Sequence, residues 1–167
     1  MTKVVVTGGA GFIGSNVVRA LISEGHKIAV IDDLSTGLAS SIEGLPIDFR
    51  EISITNADKM KLALSDAQIV VHLAARGSVP RSVKDPVATH AVNTLGTLNI
   101  LEICRENSQH LIFSSSSSVY GANMALPKNE QMWLQPISPY AASKLGAESF
   151  VSAYSSDRKS TRLNSSH

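Results

Sequence analysis

At 167 residues, with 43% hydrophobic and 17% charged side chains, the chain has the composition of an ordinary globular protein and can bury one core. No run approaches the ~20 apolar residues of a membrane helix, and a net charge of +1 argues for neither nucleic acid nor membrane as a partner. The single cysteine, Cys104, excludes an internal disulfide and suits a reducing, cytoplasmic setting, as does an N-terminus that runs straight into a strand with no room for a signal peptide.

Short apolar runs alternate with helix-length segments, which predicts βαβ units and a parallel sheet. Lys3–Thr7 reads as a strand, and Ile13–Glu24 as a helix presenting Ile13, Val17, Ala20 and Leu21 on one face before stopping at Gly25. Strands follow at Lys27–Asp32 and Ile47–Ser53, then a short helix at Ala57–Leu64 and a strand at Ile69–Leu73. Pro86–Glu106 reads as one long helix with Pro86 in its first turn, and on it Ile100 and Cys104 share a face that favours a buried thiol. His110–Ser115 is the fifth strand, and a last helix is predicted to begin near Ser138–Pro139. Continuous apolar runs are those of strands covered on both faces. The fold class expected is α/β, a Rossmann-like doubly wound parallel sheet. The final eleven residues, Asp157–His167, lack apolar periodicity, glycine and proline, and they resemble the translation of a sequencing-library adapter. Residues 1–156 are therefore expected to be the native domain and 157–167 a non-native tail.

Gly9-x-Gly11-x-x-Gly14 follows the first strand, opens the first helix and is followed 18 residues after Gly14 by Asp32, at the end of the second strand. Glycines let the chain turn tightly and approach a pyrophosphate, while Gly14 lets the helix pack close to the strand. The helix N-terminus offers free N–H groups to phosphate oxygens. A carboxylate at Asp32 accepts hydrogen bonds from a ribose diol and repels a 2′-phosphate, which favours NAD over NADP.

Tyr140 and Lys144 stand four apart on the last helix and so share a face. A tyrosine is a poor base at its unperturbed pKa of ~10, and a neighbouring ammonium favours its phenolate. Ser116 follows the fifth strand by one residue, at the carboxyl edge where such sheets bind ligands, and its hydroxyl suits a substrate oxygen beside Tyr140. His72, late in a strand, reads as a packed, hydrogen-bonded histidine. Arg76 and Arg81 lie in the following loop and are candidates to face phosphates, and Trp133 reads as a packing anchor.

Thr7–Gly14, His72–Leu73–Ala74–Ala75, Phe113–Ser114–Ser115–Ser116, Val119–Tyr120–Gly121 and Ser138–Pro139–Tyr140–Ala141–Ala142–Ser143–Lys144 together resemble the extended short-chain dehydrogenases/reductases. Within them the likeness is to nucleotide-sugar 4-epimerases of the UDP-glucose 4-epimerase type, and it covers residues 2–155. It implies a catalytic triad of Ser116, Tyr140 and Lys144, with Ser116 and Tyr140 on the substrate. It also implies a pyrophosphate loop of Gly8, Gly11, Phe12, Ile13 and Gly14, and an adenosine-ribose segment of Asp32, Asp33 and Leu34. Leu73, Ala74, Ala75, Asn93 and Ser114 then line the cofactor groove, with Ser53 and Ile54 near adenine. Relatives carry Gly-Asp-hydrophobic where this chain has Ile52–Ser53–Ile54, which weakens the adenine contact. The 4,6-dehydratases carry Asp-Glu where it has Ser117–Ser118, so it lacks their acid and base.

The resemblance implies NAD-dependent 4-epimerisation of UDP-glucose or UDP-N-acetylglucosamine through a 4-keto sugar, part of carbohydrate metabolism. Its alternatives are a related sugar-nucleotide reductase or decarboxylase, or a non-catalytic NAD-binding module. No metal and no nucleic acid enters that chemistry. Family members are roughly twice this length, so five strands are expected here, without the C-terminal substrate domain. That leaves the outer edge of the fifth strand and the inner face of the last helix exposed, and this chain inactive. The full-length protein is expected to be a homodimer.

Overall fold

The computed structural model describes residues 1–156 and the backbone of Asn164–Ser166, so the expected tail otherwise lies outside the described residues. Five strands lie where the apolar runs predict them: Lys3–Thr7 (β1), Lys27–Asp32 (β2), Asp48–Glu51 (β3), Ile69–His72 (β4) and His110–Ser114 (β5). A three-residue strand, Asn164–Ser166 (β6), joins them, and the parallel sheet runs β3-β2-β1-β4-β5-β6. The order reverses beside β1, so the carboxyl ends of β1 and β4 diverge into a crevice. The outer edge of β5, expected to be unpaired, takes β6 in register from Ile112 to Ser114. An open row of backbone N–H and C=O groups pairs with extended backbone lying along it.

Alternation along each strand divides the core in two. Val5, Ala29, Ile31, Val70, Leu111 and Phe113 face one side, under Ala57–Ala63 (α2), Gly96–Glu106 (α5) and Pro139–Ser156 (α6). Val4, Val6, Ile28, Val30 and Val71 face the other, under Phe12–Ser23 (α1). Coverage on both faces holds for β1, β2 and β4. It fails for β3, which is a mostly exposed edge strand shorter than Ile47–Ser53, and for β5, where Ile112 is only half-buried.

Three helical expectations change. In α1 the buried stripe is Gly14, Ser15 and Val18, with Val17 and Leu21 half-buried, whereas Ile13 and Ala20 are exposed. The first turn of α1 overhangs the crevice, so Ile13 meets no core. Pro86–Glu106 is not one helix: Pro86–His90 (α4) gives way to a π-turn at Ala91–Leu95 before α5. A further helix, Val79–Lys84 (α3), forms in what reads as loop, capped by the Ser78 hydroxyl. The last helix starts as predicted, with Ser138 Oγ accepting the Ala141 N–H at 3.1 Å. Trp133, expected to anchor packing, is 62% exposed, and Met124, Leu126, Leu134 and Ile137 of the same segment are exposed with it. Cys104 is buried, and burial pushes its thiol up to about 12. No helix among the described residues is long and apolar enough to cross a membrane.

α5 ends in a left-handed turn at Ser108 (φ +54), with the Gln109 N–H bonded to the Cys104 carbonyl at 2.9 Å. Glycine adopts that conformation without the Cβ clash that penalises serine. Ser108 is exposed, so Ser108→Gly is expected to stabilise the chain by about 1 kcal/mol, or ~2–4 °C in Tm. A thermal melt checks this, and a lowered Tm contradicts it.

Candidate active site

The crevice is a cleft of about 720 Å³ at the carboxyl ends of the strands. Gly8, immediately after β1, has φ +73, and a Cβ there would stand 2.6 Å from the Ala74 backbone nitrogen. A Cβ on Gly14 would stand 2.1 Å from the Gly8 carbonyl oxygen. The third glycine of the motif therefore lets α1 begin against the turn itself, closer than the strand contact expected of it. α1 starts at Gly11 with no side-chain cap, so the N–H groups of Phe12, Ile13 and Gly14 have no intrahelical acceptor. Open donors above a floor that admits no Cβ fit a pyrophosphate.

The end of β2 forms the acidic end of the cleft. Asp32 accepts the Ala10 N–H at 3.0 Å and the Leu34 N–H at 2.9 Å, one on each carboxylate oxygen. Burial raises its pKa in spite of those two donors. Burial also acts to raise Asp33, but hydrogen bonds from Ser35 and Ser53 outweigh it and hold that carboxyl below its ordinary value. Asp32 and Asp33 line the cleft as expected, and so does Ile54. Leu34 and Ser53 do not. Leu34, at φ +55, turns its side chain onto the core below, and Ser53 is taken up by Asp33 and by Thr55 Oγ1 at 3.1 Å. In their place Ser35, Thr36, Gly37 and Ile52 line the wall. A Cβ on Gly37 would stand 3.0 Å from both Asp32 carboxylate oxygens, so a Ser-Thr-Gly turn after an acidic strand end is the signal that marks this rim.

At the other end, α6 brings Tyr140 and Lys144 to the cleft beside Ser114 and Ser115. Lys144 is 5% exposed, its Nζ donates to the Ser114 carbonyl at 2.7 Å, and it lies 4.4 Å from the centre of the Phe113 ring. Burial lowers its pKa to about 8, against the pull of Glu148. Tyr140 is half-buried. Ser116, expected on the substrate, lies outside the cleft lining: its Oγ accepts the Ser118 N–H at 3.2 Å and caps the short turn Ser117–Tyr120. Ser115 does line the cleft, donating to Glu148 at 2.5 Å.

Leu73, Ala74 and Ala75 form the wall between the two ends. Asn93, placed on that wall by the resemblance, is instead buried behind it. Its amide accepts the Arg76 N–H at 2.7 Å and donates to the Arg76 carbonyl at 3.3 Å and to Ser143 Oγ at 2.9 Å. The π-turn turns Asn93 inward in this way. His72 is packed and hydrogen-bonded as expected, to Thr7 Oγ1 through Nδ1 at 2.7 Å and to Thr97 Oγ1 through Nε2 at 2.9 Å. Burial, then the charge of Lys144, lowers its pKa to about 3.

Residues 4–164 match the model of the NAD dependent epimerase/dehydratase family. The UDP-glucose 4-epimerase of Mycolicibacterium smegmatis is 38% identical over 159 residues, covering 91% of this chain and 51% of that protein. UDP-glucuronic acid decarboxylase 1 of Danio rerio is 33% identical, over 91% of this chain and 37% of that protein. The crystal structure of the Thermus thermophilus UDP-glucose 4-epimerase complex with NAD superposes with a TM-score of 0.91 at 36% identity, covering 98% of this chain and 54% of that one. The chain thus spans about half the length of the epimerases it matches. The glycine turn, the acidic strand end and the Tyr140–Lys144 pair sit in one cleft of a sheet shared with these proteins, and the chain belongs to the NAD dependent epimerase/dehydratase family.

Proposed function

We propose that this chain supplies the NAD-binding and proton-transfer half of a nucleotide-sugar 4-epimerase acting on a UDP-sugar of the glucose or N-acetylglucosamine type. The observation that carries it is a buried ammonium, Lys144, one helical turn from Tyr140 in the wall of the dinucleotide cleft. The open N–H groups at Phe12–Gly14 hold the pyrophosphate, and Asp32 accepts the adenosine ribose hydroxyls. NAD, when bound, supplies the acceptor for a hydride from sugar C4 and the donor that returns it. Tyr140 takes the C4 hydroxyl proton as the 4-keto sugar forms and gives it back after the ring turns over. Lys144, charged below pH about 8, stands one helical turn from Tyr140 and lines the cleft with it. Ser116 Oγ, outside the cleft lining, accepts a backbone N–H and keeps its own proton free to donate, and the cleft-lining hydroxyl beside Tyr140 and Lys144 is that of Ser115. Ser117 and Ser118 stand where elimination of water requires an acid and a base, which supports epimerisation over dehydration.

The same reading carries a cytoplasmic enzyme that is a homodimer at full length. Exposed Val83, Val87, Leu95 and Phe150 on the outer helices support the second point. Residues 1–156 are the native domain in this reading and 157–167 a non-native tail. The exposed apolar side chains of the Trp133 segment are those that the remaining half of an enzyme covers. The 167-residue chain is therefore expected to be inactive alone, and measurable epimerisation by it contradicts this.

Three outcomes are expected. Gly14→Ala, whose Cβ meets backbone, abolishes NAD binding in a fluorescence titration, and an unchanged affinity removes the pyrophosphate assignment. In the full-length protein, Tyr140→Phe lowers epimerisation at least about a hundredfold and leaves NAD bound, with no net reduced nicotinamide formed by the unaltered protein. Near-normal turnover by the variant, or steady accumulation of reduced cofactor, contradicts the reading. The third concerns Lys144. Between pH about 8 and its ordinary value of 10.5 the unfolded chain holds a proton that the folded chain has released, so stability rises with pH across that window. In urea unfolding the stability of wild type relative to Lys144→Met is expected to grow across that window, since the fall that Cys104 causes above pH about 9 is common to both. A stability difference between the two that stays constant from pH 7 to 10, roughly the span below the free-lysine pKa, overturns the buried-ammonium assignment.

A further inference from the structure

Arg76 and Arg81 line the same cleft as Tyr140 and Lys144, and the dinucleotide leaves both without a task. Its pyrophosphate is matched by the open N–H groups that begin α1, and its ribose by Asp32. Arg76 lies close to the catalytic helix, because one Asn93 amide nitrogen donates both to the Arg76 carbonyl (3.3 Å) and to Ser143 Oγ (2.9 Å), next to Lys144. With its N–H also held by Asn93 at 2.7 Å, the arginine backbone is fixed from both sides. Its guanidinium has one carboxylate partner, Asp85 at 3.2 Å through Nη2, and its Nε–H is buried with no hydrogen-bond partner. A buried N–H left in that state costs about 1–3 kcal/mol, and a ligand oxygen removes the cost. Arg81 is exposed and has no salt bridge among the described residues. Two forked cations thus share the cleft, with the carboxylate of Asp85 on Arg76 alone. The fork geometry of a guanidinium matches carboxylate and phosphate oxygens in pairs.

We propose that Arg76, assisted by Arg81, forms an oxyanion site for the second ligand of the cleft. This rests on the reading that the second ligand is a nucleotide sugar. The oxyanion is either a carboxylate on the sugar ring or the diphosphate that links sugar to nucleoside. The two sources share one recognition chemistry and differ in which ligands need the arginine.

The test is calorimetric titration of the NAD-loaded full-length protein with UDP, UDP-glucose and UDP-glucuronate, in wild type, Arg76→Ala and Arg81→Gln. NAD is titrated separately into each protein. Arg76→Ala is expected to weaken binding about ten- to a hundredfold, the range of a charged hydrogen-bond pair, with NAD affinity unchanged. Loss confined to UDP-glucuronate identifies the sugar carboxylate, and equal loss for all three identifies the diphosphate. Arg81→Gln, at an exposed position with little influence on folding, is expected to weaken the same ligands by a smaller factor. Unchanged sugar-nucleotide affinity in both variants overturns the site, as does a loss of NAD affinity alone. If Arg76→Ala does not fold, Arg81→Gln decides, and no loss in it counts against the site. Failure of the wild type to bind any of the three ligands sinks the underlying reading instead.

Discussion

Much of the site depends on one chain of hydrogen bonds that crosses the sheet behind the cleft. The Ala74 N–H donates to Thr7 Oγ1 at 3.3 Å, Thr7 meets His72 Nδ1, and His72 Nε2 meets Thr97 Oγ1. Thr97 spends its own proton on the Asn93 carbonyl at 2.6 Å, so it accepts from Nε2–H. Nδ1 is then bare and takes the Thr7 proton, leaving Thr7 Oγ1 to accept from Ala74. Every donor and acceptor in the chain has one role. Its ends are the wall of the cofactor cleft and the π-turn from which Asn93 grips the Arg76 loop and Ser143. The Leu73–Ala75 wall of the cleft and α6 are registered to each other through it.

This arrangement explains what a linear reading of the chain reaches. The glycine turn, Asp32 and the Tyr140–Lys144 spacing are local patterns: each sits within a few residues of a strand end or on one helical face, and the fold delivers them to a single cleft. The misplaced residues are those whose direction is set by contacts distant in sequence. Ser53 and Leu34 fall within the expected segment, yet Asp33 captures one and the core the other. Asn93 carries no local sign of a π-turn in a run that reads as continuous helix, and its partners lie 17 and 50 residues away. Ile13 satisfies a helical period and still finds no core, because the first turn of α1 projects over the crevice. Periodicity assigns a face to a residue but not the object opposite that face.

The cleft carries charges of both signs. The carboxylates of Asp32 and Asp33 and the cations Lys144, Arg76 and Arg81 all line it. The two signs are held differently. At Asp32 burial raises the carboxyl's pKa and two backbone N–H groups act against that rise. Lys144 has a single carbonyl and the face of Phe113, which leave its charge only weakly held at neutral pH. Lys144 therefore keeps its proton at neutral pH and gives it up near pH about 8, well below a solvated lysine.

His72 is neutral, its pKa lowered to about 3 by burial and then by the charge of Lys144. It is buried and stacks on the same Phe113 ring, with centroids 5.8 Å apart, that carries the Lys144 ammonium on its face. A proton on His72 would set a second cation beside Lys144 and force Nδ1 to donate. Thr7 Oγ1, already accepting from Ala74, would then lose the acceptor for its own proton. The chain of single roles thus excludes the imidazolium on hydrogen-bonding grounds, in addition to burial. With His72 neutral, Lys144 is left as the cation on the Phe113 ring, one helical turn from Tyr140. A buried histidine that never touches the cleft thereby leaves Lys144 without a second cation beside it.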